Sequence, residues 1–175
     1  MSGMIHRNNR DYKNFSIGNY YHVYNRGNNK QNIFLDDEDM KVFLFFLSEA
    51  VFPDRFTVKT SRPKKILSPG SFEIHAYCIM SNHYHLLIRQ HSNISISNLI
   101  QKVCTSYVKY FNKKHGRIGH LFQDKYKAVL IENNDHLKLV INYIHDNPVE
   151  AEIVNSRDEY PWSSFYKPFI PSQTW

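Results

Sequence analysis

The sequence predicts an α+β fold, a ferredoxin-like antiparallel sheet in the order βαββαβ with an added C-terminal helix that carries a tyrosine. Three observations carry this reading. Short runs rich in aromatic and β-branched residues read as four strands, two longer runs carry enough apolar residues to be buried helices, and a third helical run follows the last strand.

The first strand is Tyr20-Tyr21-His22-Val23-Tyr24-Asn25, ended by the turn-like Arg26-Gly27-Asn28-Asn29. Acids at Asp36 to Asp39 suit a helix N-terminus, the apolar run Met40 to Val51 continues that helix, and Pro53 ends it. Residues 53–71 hold three prolines and the basic stretch Lys59 to Lys65, a long excursion before the next strand. Phe72–Met80 and Tyr84–Gln90 form a hairpin with Ser81-Asn82-His83 at or beside its turn. Ile96, Leu99, Ile100, Val103, Tyr107, Tyr110 and Phe111 repeat at three and four, which predicts a helix from about Ser97 to His115 with Gly116 as its cap. A strand follows over Lys125–Ile131. The last helix begins near Asn133, Asn134 or Asp135 and runs to about His145, stopped before Pro148. The helices are expected on one face of the sheet, leaving the other open for a ligand or a second subunit.

At 175 residues the chain is expected to be a single domain over 1–175 with a flexible tail at about 1–18, and 42% hydrophobic residues suffice for a core. Cys78 and Cys104 lie in apolar segments without metal-ligand spacing, so neither a disulfide framework nor a zinc knuckle is supported. The polar stretch Met1 to Ser16 has no signal-peptide character, and the longest strongly apolar run, Val42 to Leu47, is too short to span a bilayer. No membrane is implied, and a reducing cytoplasm is the expected location.

The net charge of +6 is local: Lys102, Lys109, Lys113, Lys114, Arg117, Lys125 and Lys127 face one acid, Asp124, across residues 102–127, and the rest of the chain is neutral. Tyr107, Tyr110, Phe111, Phe122 and Tyr126 are interleaved with them. Cations neutralise phosphates and aromatic faces stack on unpaired bases, so these seven basic residues are the candidate DNA-binding set. The alternative is a solvated helix face followed by core aromatics.

His83 and His85, separated by Tyr84, are the strongest candidates for chemistry. On a strand, side chains two apart stand on one face about 7 Å apart, close enough to grip one divalent cation. Strand histidines also serve simply as hydrogen-bonding groups. On the last helix Leu137, Val140, Ile141 and Ile144 form the apolar stripe, and His136, Tyr143 and Asn147 share a shoulder roughly 90° from its centre. Tyr143 and Asn147, at i and i+4, bring a phenol and an amide oxygen toward one point. The plainer readings are a boundary tyrosine and a C-terminal cap before Pro148. His22, His75 and His120 are weaker candidates.

Five ordered segments then add a resemblance: Tyr21-His22-Val23-Tyr24-Asn25-Arg26-Gly27, Met80 to Leu87, Gly119-His120-Leu121-Phe122-Gln123, Tyr143-Ile144-His145-Asp146-Asn147-Pro148-Val149 and Tyr160-Pro161-Trp162-Ser163-Ser164. From about Tyr20 to Tyr166 the chain resembles the single-tyrosine HUH transposases, and within them the REP-associated tyrosine transposases. That resemblance implies His83 and His85 as metal ligands, Asn147 in the third-ligand place that some relatives fill with glutamine, and Tyr143 as nucleophile. It further implies Mg²⁺ or Mn²⁺, single-stranded DNA beside a hairpin as partner, strand transfer through a 5′-phosphotyrosine, and a monomer or a homodimer. Lys138, His136 or a bound water are the candidates for helping Tyr143 ionise. Two rival functions share the same residues: a non-catalytic hairpin-binding module, and a phosphodiesterase that activates water.

Overall fold

The computed structural model describes residues 14–56 and 67–170. Its sheet has four antiparallel strands, β1 (Tyr20–Arg26), β2 (Phe72–Met80), β3 (His83–Gln90) and β4 (Lys127–Leu130), in the spatial order β2-β3-β1-β4. Helices α1 (Asp37–Val51) and α2 (Ile96–Lys114) connect them, and α3 (Asn134–Glu150) follows β4. This is the ferredoxin-like α+β arrangement with its added helix. Of the tail expected over residues 1–18, residues 1–13 lie outside the described residues, as does the basic stretch Lys59 to Lys65. Residues 14–18 meet the sheet: Phe15 packs edge-on against Tyr21, and the Gly18 amide donates to Gln90 O.

Every strand near the centre is buried on both faces, so the pleat assigns each side chain to one of two cores. Tyr84, Leu86 and Ile88 of β3 and Tyr21 and Val23 of β1 face α1 and α2, joining Phe43, Leu47, Leu99, Val103 and Tyr107. Leu87 faces the other way, toward Ala76, Cys78 and Met80 and the α3 residues Val140 and Ile144. A one-residue bulge at His75, between the pairs Ile74 with Ile88 and Ala76 with Leu87, shifts the alternation of β2. Before it Phe72 and Ile74 enter the first core; after it Tyr77 and Ile79 do, while Ala76, Cys78 and Met80 turn to the second.

The second core corrects the expectation of an open face. Leu137, Val140, Ile141 and Ile144 are a full apolar stripe, and burying it requires a surface, which the β2–β3 end of the sheet provides. Only the part of that face beyond α3 is left uncovered.

A C-terminal strap completes the edge. The Ile79 amide donates to Trp162 O, the Ser164 amide to Tyr77 O, and the Tyr160 hydroxyl to Ile79 O at 2.7 Å, so residues 160–164 cover the outer edge of β2. Arg157 ties the strap's approach to α3 through a paired contact with Asp146.

Two element boundaries also differ. The last strand is Lys127–Leu130 rather than Lys125–Ile131, because the chain at Asp124 is pinned by a hydrogen bond from Asn25 Nδ2 to its carbonyl before pairing begins. Helix α3 runs through Pro148 to Glu150 instead of stopping at His145. Proline removes one helical hydrogen bond, but within the last turn little helix lies downstream to be disrupted, and the Pro148 ring is buried.

The acidic start of α1 and the end of α2 are clamped together. Lys114 Nζ contacts Asp36, Glu38 and the fully buried Asp39 at 2.8, 3.2 and 3.0 Å, and His115 Nε2 meets Asp39 at 2.9 Å. Replacing Lys114 by alanine should lower stability by about 1–2 kcal/mol, because Asp39 stays buried with one cation fewer. The Asp36 carboxyl is held below its ordinary value of 3.8, first by the hydrogen bond from Lys114. That contribution is complete above the ordinary value and is lost as the pH falls through the lowered one, so the gap between wild type and Lys114→Ala should narrow in acid. Urea titrations at several pH values measure it, and an equal gap at pH 7 and pH 3 would contradict the assignment.

Candidate active site

The site forms where the uncovered end of the second face meets α3. Two cross-strand rows build its floor: Met80, His83 and Arg26 in one, and Cys78, His85, Tyr24 and Lys127 in the next. Tyr84 points to the opposite face, fully buried, with its hydroxyl 3.5 Å from Cys104 Sγ. His83 and His85 therefore share a face as the strand period requires, with ring centroids 5.0 Å apart and planes nearly perpendicular.

Each histidine is held at Nδ1. The Nδ1 of His83 lies 2.5 Å from Asn82 Oδ1, and because an amide oxygen only accepts, that nitrogen carries the proton. Asn82 Nδ2 faces the Lys30 carbonyl, which fixes the amide's orientation. The Nδ1 of His85 lies 2.8 Å from Nε2 of His22, and the two rings stack. His83 thus presents an unprotonated Nε2, and His85 does so when its own Nδ1 carries the shared proton. Burial first, with the charge of Arg26 in support, lowers the pKa of His83 against a smaller opposing hydrogen bond with Asn147. The imidazole is neutral at pH 7, the form that binds metal.

Helix α3 brings Tyr143 over this floor. Its ring stands edge-on to His85 at 5.5 Å and to His22 at 5.9 Å between centroids. Asn147 donates from Nδ2 to the Tyr143 carbonyl at 2.7 Å, and its side chain is near enough to His83 and to the Tyr143 phenol to influence the pKa of each. Burial, followed by the charge of Glu150, raises the Tyr143 pKa, and Asn147 opposes this. Tyr143 is accordingly a protonated phenol at neutral pH.

The residues named from the sequence divide between two places. His83, His85, Tyr143 and Asn147 come together. Lys125 and Lys127 join His83, His85 and Tyr143 in lining a cleft of about 550 Å³ with Tyr24, Arg26, Lys30 and Gln123. Lys102, Lys109, Lys113 and Lys114 lie on α2, which packs against the other face of the sheet. Arg117 sits over the Phe111 ring and donates to Gln31. Tyr107 and Phe111 are core residues, and the Tyr110 hydroxyl donates to Asp39, so these aromatics hold α2 to α1 and the sheet.

His22 is the residue that sequence reasoning undervalued. The signal was its place in β1, two residues before Tyr24, but a contact to His85 depends on strand register. His75 is the bulge residue, paired with Glu73, and His120 is exposed. His136 receives the Glu132 amide, and Lys138 is three-quarters exposed beside Asp135.

Among the described residues no group of three His, Cys, Asp or Glu side chains could hold a metal ion. The donor set that does converge is two imidazoles and an amide, a composition that fits a divalent cation with open positions.

Comparison with known proteins now decides the family. Residues 16–147 match the family model described as IS200-like transposases. The chain belongs to that family. A Haemophilus influenzae protein named for the REP-associated tyrosine transposases is 30% identical over 108 residues, which cover 55% of this chain and 60% of the relative's own length. The match thus spans less than two thirds of that relative. A solved REP-associated tyrosine transposase bound to a REP hairpin shares the fold with a TM-score of 0.63 at 18% identity, over 89% of this chain and 81% of the other. A Deinococcus radiodurans protein assigned as a transposase aligns at 13% identity with a TM-score of 0.47, over 77% of this chain and 94% of the other. No helix among the described residues is long and apolar enough to cross a membrane.

The geometry fixes a tautomer. In the metal-free protein, long-range ¹H–¹⁵N spectra should show His83 protonated at Nδ1 with a bare Nε2 at pH 7. A proton on Nε2 instead would mean that Asn82 does not hold the ring as described.

Proposed function

We propose that this chain, as one domain over residues 1–175, is a REP-associated-type tyrosine transposase. It cuts and rejoins single-stranded DNA beside a hairpin through a covalent 5′-phosphotyrosine. The observation that carries this reading is Tyr143 standing edge-on to His85 within the same chain, with Asn147 one turn on and basic residues lining the adjoining cleft. Contact within one chain supports action of the tyrosine in cis. The hairpin substrate is carried over from the solved relative with the same fold, whose name states that ligand.

His83, His85 and Asn147 would hold Mg²⁺ or Mn²⁺, with His22 orienting His85 from its other ring nitrogen. When bound, a divalent cation draws negative charge from the non-bridging oxygens of the scissile phosphate. The chain's own residues do the rest. Lys125, Lys127 and Lys30 bind the backbone beside the site. Tyr143 Oη loses its proton to solvent and attacks phosphorus, forming the Oη–P bond as the P–O3′ bond breaks, and the departing 3′ oxygen takes a proton. A free 3′-OH reverses the step at the same or a new junction. The ester is conserved throughout, so no nucleotide cofactor is consumed.

The raised pKa of Tyr143 gives the water-activating phosphodiesterase a specific foothold, since a protonated phenol is a poor nucleophile. One experiment separates the readings. Hairpin oligonucleotides with single-stranded flanks, incubated with Mn²⁺ and run on a denaturing gel, should give a protein-DNA adduct with wild type and none with Tyr143→Phe, while binding changes less than about threefold. Turnover by Tyr143→Phe without an adduct would establish water as nucleophile. Binding without cleavage by wild type would leave a non-catalytic module.

The positions of the lysines sharpen the binding expectation. Alanine at both Lys125 and Lys127 should flatten the dependence of log K on log salt by about 0.7 per lysine for single-stranded DNA. Alanine at Lys102, Lys109 and Lys113, on the far side of the sheet, should change it less. Fluorescence anisotropy across a salt series measures both, and the reverse ranking would move the DNA path to α2.

A further inference from the structure

Arg26 has a place in the site that neither the charge pattern nor the histidine motif indicates. It is the last residue of β1 and the cross-strand partner of His83, and by strand alternation it shares the face of His22 and Tyr24. Gln123 grips it twice: the Gln123 amide donates to the Arg26 carbonyl at 3.0 Å, and Arg26 Nε donates to Gln123 Oε1 at 2.5 Å. The neighbouring backbone leaves no slack. A Cβ on Gly27 would fall 2.1 Å from the Gln31 carbonyl oxygen, and Gly27 bridges Phe122. Asn25 adds a hydrogen bond to the Asp124 carbonyl. Gln123 takes only Nε. No other described residue bonds the two Nη groups, and Arg26, a solvent-exposed residue, lines the cleft together with His83, His85 and Tyr143.

A guanidinium with its orientation fixed and its outer N–H groups available is a preformed receptor for two oxygens of one phosphate. Among the described residues Asp124 is the one acid lining the cleft. Lysines at 30, 125 and 127 can supply charge, but not a planar fork, and none is the direct cross-strand partner of either histidine among the metal-ligand candidates except through Tyr24.

We propose that Arg26, aimed by Gln123, contacts the non-bridging oxygens of the scissile phosphate and stabilises the charge that concentrates there as Tyr143 attacks. This rests on the reading of Tyr143 as nucleophile. The bonds made and broken are those of that step, and Arg26 exchanges no proton. Arg26 is then a catalytic residue and Gln123 a positioning residue.

The test is single-turnover adduct formation on a hairpin oligonucleotide with Mn²⁺, using wild type, Arg26→Ala, Arg26→Lys and Gln123→Ala, each shown folded by circular dichroism. Loss of one preorganised donor group of this kind costs about 10²–10³-fold in rate. Arg26→Ala should slow the step by that factor with DNA affinity changed only a few-fold, Arg26→Lys should recover part of it, and Gln123→Ala should lose about tenfold by the same reasoning at smaller scale. With a methylphosphonate at the scissile position, which removes the charged oxygen, the gap between wild type and Arg26→Ala should shrink. Adduct formation by Arg26→Ala within threefold of wild type, or an undiminished gap on the methylphosphonate, would overturn the role of Arg26 and leave Tyr143 untouched. Failure of wild type itself to form an adduct would overturn both.

Discussion

Burial of β3 on both faces is the constraint from which the rest follows. Tyr84, Leu86 and Ile88 must point to α1 and α2, so His83, His85 and Leu87 must point the other way. A slip of one residue in register would bury both imidazoles in the first core and expose a row of large apolar side chains. The cost of that exchange is what fixes the site. Leu87 and its neighbours then draw in the stripe of α3, and α3 brings Tyr143 and Asn147 with it. Folding and site assembly are the same event here, because the surface that binds α3 is the continuation of the strand that holds the histidines.

Much of this was legible in the sequence because it depends on short-range periodicity. The His-Tyr-His alternation, the three-and-four spacing of α2 and the pairing of Tyr143 with Asn147 at i and i+4 are each set within one element. What escaped depends on register between elements. His22 lies sixty-three positions from His85 and meets it only because β1 and β3 pair with Tyr24 opposite His85. The bulge at His75 left no mark in composition, although without it Cys78 and Met80 would face the first core. Charge proved the least transferable signal. Seven basic residues in one segment suggested one surface, but a helix, a loop and a strand distribute them over both sides of the sheet.

Electrostatics also explains which cations remain at the cleft. Lys114, the most strongly engaged cation of the segment, is taken up by Asp36, Glu38 and Asp39 at the α1 N-terminus, where carboxylates are favoured by the helix dipole. The cations left at the site, Arg26, Lys30, Lys125 and Lys127, come from β1, the turn after it and the approach to β4. They line the cleft with His83 and His85 at one end of the inner strands β3 and β1. A polyanion is thus drawn to one end of the second face, the end where Tyr143 stands.

The course of α3 through Pro148 bears directly on the chemistry. Had the helix ended at His145, Asn147 would lie in a loop, and nothing would hold its amide one turn beyond Tyr143. With the helix intact, Asn147 Nδ2 is spent on the Tyr143 carbonyl, which leaves Oδ1 as the group free to face His83. Proline at the next position supplies no amide hydrogen to the Ile144 carbonyl, a loss of one hydrogen bond within the last turn of a helix in which the Pro148 residue is itself buried. The helix therefore persists just far enough to present a phenol and an amide oxygen on one side, one turn apart, against two imidazoles fixed by the strand beneath.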